Sequence, residues 1–366
     1  MTTLNAGVPC RLGSHRVLVP AGSLPQTAWR IDSTPVALDN EMLCEVDVLN
    51  IDSASFRQIS EAEAGDEERV AAHIRRTVAE RGKQHNPATG SGGMFIGRVL
   101  EIGPRHPALG SLQPGDRIAS LVSLSLTPLE LEAVRQVDLE TGRVWVNGKA
   151  ILFESALFVK LPADIEESVA LAVLDVAGAP AQTDRLAFPG ASVVVIGADG
   201  KSGMLSCARA KARVGPHGRV IGVAPSRRTD GARLLLAHGF VDEFVAADAR
   251  DALAVSRAVE AALPGLADLT LNCVNVPGTE LSSILCTKDL GTVYFFSMNT
   301  SFTAAALGAE GVGKDVTMII GNGYAAGHAE IALQTLRDHP PLLAYFNERY
   351  AAHDPAAAAI RAIRGA

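Results

Sequence analysis

With 366 residues, the chain is long enough for two domains, each with an ordinary core. Its composition, 48% hydrophobic and 20% charged, is globular and excludes a largely disordered protein. The formal net charge of -7 leaves no basic surplus to neutralise phosphates, so no nucleic-acid partner is expected.

In chain order, residues 1–13 lack the apolar region of a signal peptide. No run of about 18 apolar residues follows anywhere, so neither a membrane span nor a membrane partner is expected. The protein should be soluble and cytoplasmic. Up to about Pro162, short alternating segments between Gly, Pro and Asn read as strands, at 15–19, 43–49, 93–102, 116–122 and 149–160. One helix interrupts them at 61–81, where Val70, Ile74 and Val78 recur every four residues as one apolar stripe. Gly82 is its stop. This helix is either a structural insertion or a lid.

From Ile165 helix and strand alternate. Helices are expected at 166–179, 201–214, 230–238 and 250–263, and again after Gly327 through Leu336. Strands are expected at 192–197, 219–224, 243–245, 269–274, 291–297 and 316–320. Near-continuously apolar strands alternating with helices imply a parallel sheet covered on both faces. The five cysteines (Cys10, Cys44, Cys207, Cys273 and Cys286) form no CxxC pair and have no His at metal-ligand spacing. They read as buried thiols in a reducing compartment.

The strand at 192–197 runs into Gly197, Ala198, Asp199, Gly200, Lys201, Ser202 and Gly203, and an apolar helix follows. This is a dinucleotide fingerprint with alanine at the first of its three glycine positions. Gly200 would let the backbone approach a pyrophosphate, and Gly203 would let helix and strand pack closely. The helix N-terminus would offer its free N–H groups to the phosphates. The next strand should end in an acid that holds the ribose 2′-hydroxyl. Here it ends in Ala224-Pro225-Ser226-Arg227-Arg228, which suits a 2′-phosphate better. The cofactor is therefore read as NAD(P), and these residues favour NADP.

Several local patterns carry a wider likeness. Pro114-Gly115-Asp116-Arg117-Ile118, the glycine spacing from Gly92 to Gly103, and Leu161-Pro162-Ala163-Asp164 precede the dinucleotide segment. In this order they resemble the medium-chain dehydrogenase/reductase superfamily. That resemblance implies an α/β fold, with a GroES-like β-rich catalytic domain and a Rossmann doubly wound parallel sheet. The domains would be 1–164, with the helical insertion at about 61–82, then 165–340, and then a tail at 341–366 expected to pack back on the catalytic domain. It also implies a homo-oligomer, a dimer or a tetramer. Zinc-binding members of the superfamily carry a His-Glu pair where this chain has Gly93-Met94, and their first Cys ligand falls at Asp52. A catalytic zinc needs three N, S or O ligands from the protein, so no metal is expected.

Longer strings narrow the likeness. They include Val46 to Phe56, Arg81 to Met94 (with Lys83-Gln84-His85-Asn86-Pro87), Leu121 to Leu129, Ala150 to Ser155, Leu174 to Gln182, and Gly200 to Met204. Together they resemble the L-erythro-3,5-diaminohexanoate dehydrogenase family from about Gly13 to Gly327. The resemblance implies oxidation of a diamino acid at its C3 amine, giving 5-amino-3-oxohexanoate and ammonium in lysine fermentation, and it implies NAD. Asp52, in place of the metal thiolate, would then face the nicotinamide and hold or deprotonate the amine.

The remaining acids and polar residues in these strings fill the other roles. Glu154 interrupts an apolar run and Asp175 an apolar helix, and both are candidates for the catalytic set. His85 could shuttle a proton near neutral pH. Ser53, Ser55, Asn86, Thr89, Ser123 and Ser125 are expected to bind substrate. Ser123, Ser125 and Thr127 alternate with leucines and so could form one hydroxyl face. Two other readings stand beside this one. One is a zinc-free, NADPH-dependent quinone or enoyl reductase, and the other is a protein that keeps fold and cofactor without turnover.

Overall fold

The computed structural model describes residues 9–86, 90, 92–321 and 323–351, and nothing is described of the side chains of Ser53 and Ala54. Two compact units result, Met1–Glu167 and Ser168–Ala366.

The first unit is built on antiparallel pairing. β1 (Val17–Val19) and β2 (Arg30–Ile31) form a small ribbon. The main sheet takes β3 (Glu41–Asn50), then α1 (Ser53–Ala62) and α2 (Glu67–Arg81) intervene. It continues with β4 (Met94–Ile102), β5 (Arg117–Ser120), β6 (Leu129–Val137), β7 (Arg143–Phe153) and β8 (Phe158–Lys160). The strand order is β6-β7-β3-β4-β5-β8, so β3 and β4 lie centrally. Met42, Cys44, Val46 and Leu49 of β3 are fully buried in a core shared with Val70, Ile74 and Val78 of α2.

The apolar stripe of α2 falls where periodicity puts it, but the helical segment differs from the expected 61–81. It is two helices, interrupted by Ala64 at φ 56° and Gly65 at φ 68°. Asp66 caps the second by accepting from the N–H of Arg69. The expected strand at 149–160 is likewise two, because β7 ends at Phe153 and the chain turns before β8.

A buried ion pair ties the N-terminal segment to the start of β3. Both side chains of the Arg16–Glu41 pair are 0% exposed. Arg16 donates from Nε to Oε1 and from the guanidinium to Oε2, each at 2.6 Å. Its remaining N–H groups go to the carbonyls of Asp32, Thr34 and Val36. His15 and the N–H of Leu38 complete the shell of Glu41, each at 2.9 Å.

In the second unit, α3 (Glu167–Leu174) leads across the boundary to α4 (Gly178–Leu186). The expected single helix at 166–179 breaks at residues 175–177. Then follow β9 (Ser192–Ile196), α5 (Lys201–Val214), β10 (Arg219–Ala224), α6 (Asp230–Ala237), β11 (Glu243–Ala246) and α7 (Ala252–Ala262). The second half holds β12 (Ala267–Asn272), α8 (Glu280–Cys286), β13 (Thr287–Phe295), α9 (Phe302–Val312) and β14 (Thr317–Ile320). α10 (His328–Asp338) packs on α4 and α5, and α11 (Pro340–Tyr350) packs on α10. Residues 352–366 of the C-terminal segment lie outside the described ones.

All neighbouring strands here are parallel, in the order β11-β10-β9-β12-β13-β14. Counted within the unit this is third-second-first-fourth-fifth-sixth, the doubly wound dinucleotide order, which reverses between β9 and β12. Residues Val193, Val194, Val195 and Ile196 of β9 are each 0% exposed, as a strand covered on both faces requires. Among the described residues no helix is long and apolar enough to cross a membrane.

The Arg16–Glu41 pair should govern acid stability. Burial alone would raise the carboxyl of Glu41, but hydrogen bonds from His15 and Arg16 outweigh it and hold the group at about 2, against an ordinary 4.5. A depressed carboxyl stabilises the fold above its unfolded value. That contribution should begin to fade below pH about 4.5 and be gone near pH about 2. Glu41→Gln, which leaves Arg16 buried without its anion, should cost roughly 3–5 kcal/mol at neutral pH. Urea unfolding of both proteins between pH 3 and 7 checks this, and the gap should narrow as the pH falls.

Candidate active site

The end of β3 is fixed by a contact that leaves no room for a side chain. Gly93 has φ +87°, and a Cβ there would sit 2.0 Å from the carbonyl oxygen of Asn50. No ligand side chain can therefore project from position 93, and Met94, which pairs with Asn50, is 6% exposed. Asp52 follows immediately as the N-cap of α1. Its Oδ1 accepts from the N–H of Ser55 at 2.9 Å. Its Oδ2 is buried and has no hydrogen-bond partner among the described residues. A buried carboxylate oxygen left unmatched costs stability, so its retention calls for an explanation.

The residues around this cap are held by their own network. Asn86 donates to Oε1 of Gln58 on α1 at 2.9 Å, which ties the loop after α2 to that helix. Ser123 Oγ accepts from the N–H groups of Gly92 at 3.1 Å and Ser125 at 3.2 Å. It lies 2.8 Å from Ser125 Oγ, and Thr127 donates to the carbonyl of Ser123 at 3.1 Å. Ser55, Ser125 and Thr127 are each 0% exposed. The expected hydroxyl face is thus corrected: residues 121–128 form a turn, in which Ser123 Oγ braces Gly92 and the other two hydroxyls bond to Ser123. Thr89 and the side chain of Ser53 lie outside the described residues.

Two further expectations change. His85 Nδ1 lies 2.8 Å from a guanidinium nitrogen of Arg81, which can only donate, so the ring carries its proton on Nε2. Burial, with Lys83 and Arg81 close by, lowers the ring to about 4. It is neutral at pH 7, so a shuttle titrating near neutrality is not what this environment builds. Lys83 itself is 0% exposed and donates from Nζ to the carbonyls of Pro25 at 2.6 Å and Gln26 at 3.1 Å. Glu154 is not brought to Asp52. It follows Phe153, which pairs with Glu41 at the opposite end of β3, about 30 Å away at the rise of an extended strand. There it meets Asn40 at 3.4 Å and Arg11 at 4.0 Å.

The second unit supplies the glycine loop where its sheet order reverses. Gly197 and Ala198 donate to the carbonyl of Val223, which locks the loop onto β10. A Cβ on Gly203 would stand 2.1 Å from the carbonyl oxygen of Gly197, so helix and strand meet there in direct backbone contact. A Cβ on Gly200 would meet only that carbonyl, at 3.6 Å. The fold does not need glycine at 200, but a ligand lying on the backbone would. Gly200 is the N-cap of α5, with no side-chain cap, so the first turn of α5 has the N–H arrangement that suits an anion. The loop fits a dinucleotide pyrophosphate.

Beyond β10, Ser226 Oγ accepts from the N–H of Arg228 at 3.0 Å. Arg227 stands 3.9 Å from Glu243 with more than half of its side chain exposed. Asp175, expected in the catalytic set, lies in the break between α3 and α4, and its Oδ2 receives Lys201 Nζ at 2.9 Å. Sequence reading named both residues but not their pairing. The available signal was a lysine in the first turn of a helix, where a cation opposes the dipole and needs an anion. Among the described residues no three or more His, Cys, Asp or Glu side chains gather to hold a metal ion.

The first unit has a GroES-like β-rich fold, and the second is a Rossmann doubly wound parallel sheet. CurK enoyl reductase shares that fold at TM-score 0.51 and 16% identity, covering 88% of this chain and 81% of that one. A quinone oxidoreductase from Coxiella burnetii does so at TM-score 0.51 and 15% identity, covering 86% and 84%. Residues 15–162 match the family described as the L-erythro-3,5-diaminohexanoate dehydrogenase N-terminal domain. Relatives carrying that enzyme name in Acetoanaerobium sticklandii and Fusobacterium nucleatum are each 52% identical, over 93% of this chain and 99% of their own length. The chain belongs to the L-erythro-3,5-diaminohexanoate dehydrogenase family.

The environment of His85 makes a direct expectation. In spectra of histidine-labelled protein its ring signals should stay constant from pH 8 to pH 6 and move only toward a midpoint near 4. A midpoint between 6 and 7 would restore it as a neutral-pH shuttle.

Proposed function

We propose that the chain oxidises L-erythro-3,5-diaminohexanoate at C3. Substrate, water and oxidised nicotinamide cofactor become 5-amino-3-oxohexanoate, ammonium, reduced cofactor and a proton. The observation that carries this reading is 52% identity to two enzymes of that name across nearly their whole length. When bound, the nicotinamide ring accepts the hydride that leaves C3.

The chain's own residues supply the rest. Hydride leaves C3 only when the attached nitrogen is neutral, so one ammonium proton must first be taken. Asp52 is proposed to take it. Its Oδ1 is held by the helix cap, which fixes the carboxylate, and its buried Oδ2 is matched by no donor among the described residues. An ammonium there would donate a charge-assisted hydrogen bond to Oδ2 away from water, where such bonds are strongest. The neutral His85 ring, with its proton on Nε2, is suited to donate a hydrogen bond rather than to carry a proton. Ser123 and Ser125, turned inward, act by holding Gly92 and the entry to β4 rather than by touching substrate. Water then replaces nitrogen on the oxidised carbon, and ammonium leaves.

The cofactor is proposed to be either dinucleotide. The segment Ala224 to Arg228 that ends β10 carries no acid of its own to hold a 2′-hydroxyl, and Ser226, Arg227 and Arg228 supply a hydroxyl and two guanidinium groups there. Likeness of fold to quinone and enoyl reductases supports no second substrate.

Cofactor reduction with 3,5-diaminohexanoate under NAD and under NADP tests the reaction, and absence of reduction with both defeats it. Asp52→Asn keeps a good helix cap and should lower kcat by about a hundredfold or more, leaving NADH affinity unchanged. Unchanged kcat with a raised KM would make Asp52 a binder only. The Arg227→Ala, Arg228→Ala double variant should weaken NADPH binding by about tenfold and leave NADH binding as it was.

A further inference from the structure

α5 begins at Lys201, so a cation occupies the turn where the helix dipole is already positive. Local preference and observed residue conflict there, and such conflicts gather at functional positions. The conflict is met from a distant part of the chain. Asp175, in the break between α3 and α4, places its carboxylate 2.9 Å from Nζ, and the Tyr350 ring centroid lies 5.9 Å from the same atom. The pair is not sealed in the fold, because the lysine side chain is 29% exposed and the aspartate 23%.

The charge around the loop gives this pairing a purpose. Residues 197–203 contain one cation, Lys201, and one anion, Asp199. Asp175 adds a second carboxylate, held on the ammonium of Lys201, and a pyrophosphate would add further negative charge. Backbone N–H groups would have to receive that charge against the field of both acids. An ammonium carries three N–H donors, so Nζ can hold Asp175 and an anion together.

We propose that Lys201 is the side-chain cation of the dinucleotide site, and that Asp175 is the positioning residue that holds its ammonium at the loop. Asp175 thereby acts on the cofactor side of the enzyme and not on the substrate. The inference rests on the dinucleotide reading of the loop.

Titration of the full-length protein with NADH and with NADPH, followed by the fluorescence of the reduced ring, tests it. Lys201→Met should weaken both by about tenfold at low ionic strength, and the gap should shrink in high salt, which screens part-exposed charges. Lys201→Arg, which keeps the cation, should bind close to the native protein. Asp175→Asn should lose several-fold, and Asp175→Glu less. The double variant Asp175→Asn, Lys201→Met should bind no more weakly than Lys201→Met alone, because the two act as one unit. Unchanged affinity in Lys201→Met, or strictly additive losses in the double variant, overturns the proposal. So does an Asp175→Asn enzyme that loses turnover at native dinucleotide affinity, which would return Asp175 to the substrate. If the native protein binds neither dinucleotide, the reading of the loop itself fails, a separate result.

Discussion

The first unit depends on how closely two strands can approach. Gly93 brings its backbone so near the Asn50 carbonyl that a Cβ would overlap it at 2.0 Å. This contact fixes where β3 stops against β4, and Asp52 begins α1 two residues later. One oxygen of Asp52 is spent on the helix and the other is left buried and unmatched among the described residues. Placement of the acid therefore follows from backbone packing, and Ser123 of the 121–128 turn reinforces the same point by accepting from the N–H of Gly92. A side chain at 93 would displace all of this together.

The second unit uses the same device at another place. Gly203 against Gly197 lets α5 start directly off β9, and the doubly wound order opens the sheet beside that start. Steric need distinguishes the loop glycines from one another. Gly203 is demanded by the fold, and Gly200 is not. That distinction separates a dinucleotide loop from an ordinary tight turn in physical terms.

Much of this was legible in the sequence where local pattern and tertiary structure agree. Val193 to Ile196 is apolar at every position because both faces of β9 are covered, and Val70, Ile74 and Val78 mark one face of α2. Legibility failed where long-range pairing decided the outcome. Glu154 interrupts an apolar run as a functional acid would, but the register that sets Phe153 opposite Glu41 carries it to the wrong end of β3. α1 went unread because Phe56 and Ile59 are its sparse apolar residues, and it starts almost directly off a strand. Ser123, Ser125 and Thr127 alternate like a strand but precede Pro128 in a turn whose hydrogen bonds close on themselves. Asp175 interrupts a helix because the helix ends there, and its partner lies 26 residues away.

β3 has a consequence for how the protein can change over time. One strand carries an acid at each end: Glu41, wholly enclosed by Arg16, His15 and Leu38, and Asp52 just beyond the other terminus. Groups separated by much more than about 10 Å with no shared partner contribute nearly independently. Substitutions that loosen or tighten the Glu41 end can therefore accumulate without disturbing the Asp52 end. The stability held at the Glu41 end and the surroundings of Asp52 are therefore separately adjustable along a single ten-residue strand.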